Sequence, residues 1–104
     1  MSYYQEVSDL GTIEEWENKK IVLKGALSDI QWQHLINPPK THPIPHFFDV
    51  DSLQIVIYAK EKIKHKGLIS VYGTIVKIES LSQSPDQVKR QWEYQMIVDK
   101  WEKV

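Results

Sequence analysis

Five short apolar stretches, with a glycine inside the first and another inside the fourth, constrain this chain more than any other feature. They run over residues 21–27, 47–50, 53–58, 68–76 and 92–98. Each has the length and the β-branched or aromatic content of a strand. A glycine inside a long strand marks a bulge or a tight bend, as at the corner of a small barrel. With Gly25 and Gly73 at those positions, the pattern predicts a five-stranded barrel. A barrel of this size points to binding modules before enzymes.

The chain in order fills in the rest. Asp9 to Asn18 reads as a short helix, with Thr12 as cap and Glu15 completing a capping box. Leu10, Ile13 and Trp16 give it one apolar stripe, suited to closing the bottom of a barrel. The first strand starts near Ile21, bends at Gly25 and is expected to reach about His34. Residues 36–45 hold four prolines and read as an exposed loop. The second strand is His46 to Asp51, and a tight turn at Asp51-Ser52 leads to the third, Leu53 to Lys60. By alternation Phe48, Val50, Leu53, Ile55, Ile57 and Ala59 face inward, whereas Phe47, Asp49, Gln54, Val56, Tyr58 and Lys60 face outward. The connector Lys60 to Lys66 has room for a helical turn or two. In the fourth strand, inward parity is expected to switch at Gly73, from Ile69 and Val71 to Val76 and Ile78. Residues 80–91 read as a second long polar loop, and the last strand starts at Trp92. No repeat or linker divides the chain, so 1–104 is taken as one domain.

Composition narrows the function classes. There is no cysteine, which excludes a disulfide framework and cysteine-ligated zinc. No apolar run approaches the roughly 20 residues that span a bilayer. The first residues lack the basic and apolar regions of a signal peptide. A cytoplasmic protein that does not engage membrane is expected. Net charge is −1, whereas nucleic-acid binders usually carry a basic balance. The charge is uneven, however, with Lys60, Lys62, Lys64 and Lys66 clustered in one connector.

The order of elements resembles an oligonucleotide/oligosaccharide-binding (OB) fold. Residues 14–27, EEWENKKIVLKGAL, are similar to the opening of the anticodon-binding and replication protein A type of OB domain. There a short lead-in precedes a strand of the form apolar-x-apolar-x-Gly. Residues 68–75, LISVYGTI, are similar to the fourth strand of that group. The resemblance covers about residues 14–104 and rests on structural glycines and apolar alternation. It implies an all-β, five-stranded Greek-key barrel. It also implies a binding face on the second and third strands, bordered by the loops at 36–45 and 80–91.

Single-stranded nucleic acid is held by aromatic stacking and a cationic groove. The stacking candidates are Trp32, Phe47, Tyr58 and Trp92; the phosphate-pairing candidates are Lys24, Lys40, Lys60, Lys77, Lys89 and Arg90. The expected function is therefore a single-stranded DNA- or RNA-binding module without catalysis. Asp49 and Asp51 stand against it, because carboxylates on the proposed face repel phosphate. The alternative is a protein-interaction OB subunit of a larger assembly, favoured by the near-neutral charge, outward Val56 and Ile97, and a terminal Trp101 with little core left to enter. Histidines 34, 42, 46 and 65 fit no zinc spacing, so neither metal nor cofactor is expected. No nucleophile elbow, phosphate loop or cysteine nucleophile is present, so the chain is not expected to be an enzyme.

Overall fold

The structure, a computed structural model, describes residues 3–30, 32, 34–84 and 87–104; at 80–84 and 87–91 the description is of the backbone alone. The elements are β1 (Gln5–Glu6), a 3-10 helix (Leu10–Trp16), β2 (Lys20–Leu27), β3 (Ile44–Val50), β4 (Leu53–Ala59), β5 (Ile69–Ser84) and β6 (Gln87–Lys103). Strands β2 to β6 close in the order β2-β3-β4-β6-β5, with β5 returning to β2, and β1 adds to β2 in parallel. Only β4 and β6 pair in parallel within the ring. The molecule is thus all-β, a closed five-stranded barrel with one short helix and the strand order of an OB-like barrel.

Closure depends on two close backbone approaches. Strand β2 pairs with β5 through Gly25↔Ile69 and then with β3 from Ala26↔Asp49. It changes partners at the glycine. A Cβ on Gly25 would sit 2.1 Å from the Asp49 carbonyl oxygen, and one on Gly73 would sit 2.1 Å from that of Ile97. Both glycines thus stand where backbones meet closely, but the parity switch is not where the sequence suggested. Inward parity continues along β5 through Ile75, which is fully buried, while Val76 is only half-buried. The extra residue lies on β6: Tyr72 pairs with Lys100 and Gly73 with Val98, so Asp99 bulges. Inward positions on β6 accordingly shift from Met96 and Val98 to Trp101, which packs against the core. Its indole also meets the His65 ring, with centroids 5.9 Å apart; the terminal tryptophan expected to reach outward does not.

The barrel is filled by Ile21, Leu23, Phe48, Ile55, Ile57, Ile69, Val71, Ile75 and Met96. Leu10, Ile13 and Trp16 of the 3-10 helix close one end. Asp9 caps this helix, accepting from the Gly11 N–H at 2.8 Å; Thr12 lies inside it and donates to the Asp9 carbonyl at 3.0 Å. The N-cap is therefore Asp9 and not Thr12, and its carboxylate satisfies one orphan amide of the first turn. The β3–β4 turn falls at Asp51-Ser52 as expected, with Asp51 at φ +54°.

Two segments differ from expectation. Strand β2 ends at Leu27, and the described residues that follow it, 28–30, 32 and 34–43, are irregular. Residues 80–91, expected as a loop, instead carry the tip of a long hairpin, paired from Ser80↔Gln91 to Ser84↔Gln87. Alternation reports burial, not pairing, and a ribbon that extends past the barrel needs no apolar face. Beyond Val76↔Gln95 these strands pair only with each other, and the chain extends 49 × 29 × 28 Å. No helix among the described residues is long and apolar enough to cross a membrane.

The lysine-rich connector 60–68 is irregular, not helical. Ile63 is buried beneath the barrel wall, and its N–H donates to His46 Nε2 at 3.0 Å. The His46 ring is therefore an acceptor at Nε2 and carries its proton at Nδ1. Burial, which outweighs the neighbouring Ile44 carbonyl and acts with the Lys62 charge, holds its pKa below the ordinary value. Because the unfolded ring binds a proton more readily, stability is full above about pH 6.5 and declines as pH falls below it. His46→Gln, which keeps an acceptor but does not titrate, is expected to flatten the dependence of the urea midpoint between pH 7 and 5. Gly25→Ala is expected to cost about 3 kcal/mol or more in the same assay, since the methyl meets backbone that cannot swing aside.

Candidate binding face

The resemblance implies a binding face on the outer side of β3 and β4, and β6 lies beside β4 on that side. Alternation aims Phe47 and Asp49 of β3, Gln54, Val56 and Tyr58 of β4, and Glu93, Gln95 and Ile97 of β6 away from the core. The register confirms that these strands are neighbours. Yet Val56, Tyr58 and Gln95 are fully buried. They are outward from the barrel and inward to the molecule, because the connection after β2 folds back over them.

This strap is held by barrel side chains that grip its main chain. Gln54 Nε2 donates to the Ile30 carbonyl at 2.8 Å, and Gln54 Oε1 accepts from the Trp32 N–H at 3.1 Å. Glu93 Oε2 accepts from the Leu35 N–H at 3.0 Å, while Gln95 Nε2 donates to the Leu35 carbonyl at 2.5 Å. Tyr58 accepts from the Asn37 N–H at 3.0 Å and donates its own proton to Gln95 Oε1. Burial is the main cause raising the Tyr58 pKa, with the Glu93 charge adding to it and the Asn37 N–H opposing it, so the hydroxyl keeps the proton it donates. One strap side chain joins the grip. His34 places Nδ1 against Glu93 Oε1 and Nε2 2.9 Å from Gln54 Oε1, with its ring 5.7 Å from that of Phe47. Both ring nitrogens face side-chain oxygens. Asp49 completes the network by accepting from Gln54 Nε2 at 2.8 Å.

The candidates for nucleic-acid contact are dispersed by this arrangement. Tyr58 and Val56, expected to be exposed, are sealed under the strap; Phe47 is half-buried beneath His34, and Ile97 is half-buried. Trp32 lies on the strap with 48 % of its surface exposed. Lys40 and Lys60 are exposed, Lys40 on the connection to β3 and Lys60 at the end of β4. Trp92, 57 % exposed, stands on the projecting ribbon with Lys77 Nζ 5.3 Å from its ring centroid. Lys77 also lies 3.4 Å from Glu79. Lys89 and Arg90 belong to β6, and their side chains lie outside the described residues. No group of three or more metal-competent side chains occurs among the described residues.

Sequence reasoning missed His34, Glu93 and Gln95 as members of one network. The signal was present in part: Glu93 and Gln95 are polar residues at alternate positions of an otherwise apolar strand. No protein-family model matches the chain, and a search of the curated proteins finds no match.

The grip itself is testable. Tyr58→Phe removes a buried hydroxyl that both donates and accepts, leaving the Asn37 N–H and Gln95 Oε1 without it. The expected loss is about 1–3 kcal/mol by chemical denaturation.

Proposed function

We propose that the protein is a non-catalytic OB-type binding module whose ligand is another protein. One observation carries this: the face on which a single strand would stack is covered by the chain's own Ile30, Trp32 and residues 34–37. Phe47 and Tyr58 are thereby withdrawn from stacking. The charges beneath the strap are the carboxylates Asp49 and Glu93, which disfavour phosphate. On its outer side the strap presents Ile30, Trp32 and Ile36, at 70, 48 and 46 % exposure. Large apolar side chains grouped on one short segment suit a protein partner.

A second reading keeps nucleic acid but moves it. Exposed Trp92 beside Lys77 offers one stacking surface with a cation, on the ribbon instead of the barrel face. Resemblance to the anticodon-binding and replication protein A type of OB domain supports this alternative at the level of strand pattern only.

Titration with fluorescent single-stranded DNA and RNA oligonucleotides at low and high salt separates the two. The protein-binding reading expects no salt-sensitive rise in anisotropy. It also expects nuclease-treated extract to yield a protein partner that Ile30→Asp/Ile36→Asp fails to retain. Salt-sensitive oligonucleotide binding that weakens in Trp92→Ala or Lys77→Ala would overturn it in favour of the ribbon.

A further inference from the structure

We infer that the face of β3, β4 and β6 is a receptor for an extended polypeptide segment bearing a basic side chain, and that Ile30, Trp32 and residues 34–37 are its resident occupant, displaced when a partner supplies such a segment. This rests on the protein-binding reading above and names the chemistry of the partner.

The first ground is what the face recognises. Gln54, Glu93, Gln95 and Tyr58 bond the main-chain groups of Ile30, Trp32, Leu35 and Asn37. Main-chain N–H and C=O groups are common to every polypeptide, so these contacts read extended backbone rather than one sequence. The single side chain gripped is His34, against Glu93 and Gln54. The Glu93 carboxylate facing that side chain favours a cationic donor in the slot.

The second ground is that the strap is longer than its connection requires. Ser28 N–H bonds the Phe47 carbonyl at 2.8 Å, which places Ser28 opposite Phe47. From there to the start of β3 at Ile44 is three residues of strand, about 10 Å. Residues 29–43 extended would reach roughly 50 Å. Chain of that excess is available to lie on the face and also to leave it.

The third ground is how little else holds the strap. Among the described residues its main chain shows no bond to a neighbouring strand between Ile30 and Asn37. Its large apolar side chains Ile30, Trp32 and Ile36 point to solvent rather than into the face. Displacement therefore exchanges a set of side-chain grips for an equivalent set, and the incoming segment covers Val56 and Tyr58 in place of the strap.

The test uses the full chain with its strap loosened. Trp32→Pro deletes the amide that Gln54 accepts while replacing an exposed side chain. A fluorescein-labelled peptide of residues 28–39 is titrated into wild type and Trp32→Pro. The expected result is at least tenfold tighter binding to Trp32→Pro than to wild type, and at least a tenfold loss when Glu93→Gln is added. Oligo-dT and oligo-rU should not compete. His34→Ala is the second receptor, should Trp32→Pro fail to fold. If the folded loosened chains bind the peptide no better than wild type and bind no oligonucleotide, this inference is overturned and the protein-binding reading stands. If the loosened chains bind oligonucleotide in place of the peptide, both are overturned.

Discussion

Two main chains pass closer at Gly25 and Gly73 than any side chain would allow, and the rest of the architecture follows from that. At Gly25 the chain leaves one neighbour for another, which turns a flat set of strands into a ring. At Gly73 the carbonyl of Ile97 occupies the place of a Cβ, and the neighbouring strand takes up the mismatch by bulging at Asp99. The Asp99 carboxylate then receives Lys20 Nζ at 2.7 Å and the Tyr4 hydroxyl at 2.9 Å. Desolvation works against the charge of Asp99, but these two donors outweigh it and hold the carboxyl below its ordinary range. The close approach that closes the barrel and the polar clasp beside it are thus parts of one device.

A ring of five strands has an inside and an outside, and this chain buries both over β4. Ile55 and Ile57 fill the barrel, while Val56 and Tyr58 lie beneath the strap. A strand buried on both faces would ordinarily be apolar on both. Here the outer set includes Gln54, Tyr58, Glu93 and Gln95, because what covers them is bare backbone with donors and acceptors to satisfy. The polarity of that face is the complement of a main chain. That face holds the main-chain groups of the chain's own Ile30, Trp32, Leu35 and Asn37.

Much of the barrel was legible in the sequence for definite reasons. Ile21 and Leu23, Phe48 and Val50, Ile55 and Ile57 alternate because each strand meets the core on one side, and a glycine breaks the pattern where two backbones touch. What stayed hidden depended on contacts distant in sequence. Tyr58 is outward by parity, and nothing local says that Ile30, Trp32 and residues 34–37 will lie upon it. The bulge could be inferred from the parity of β5 against β6 but not assigned to the correct strand, because a register shift is a property of the pair. The ribbon at 80–91 has no apolar alternation, since its pairing does not depend on burial. His34 and Glu93 are fifty-nine residues apart, and only the closed barrel brings them together.

The claim on which this account turns is that the strap is seated by side-chain grips and opens apart from the barrel. Native-state amide hydrogen exchange measures that directly. The account predicts that the amides of Trp32, Leu35 and Asn37 are protected, yet exchange through a local opening insensitive to low denaturant. Leu23 and Val71 should then exchange only through global unfolding. Strap amides that exchange at unprotected rates, or that share the opening free energy of Leu23 and Val71, would contradict it.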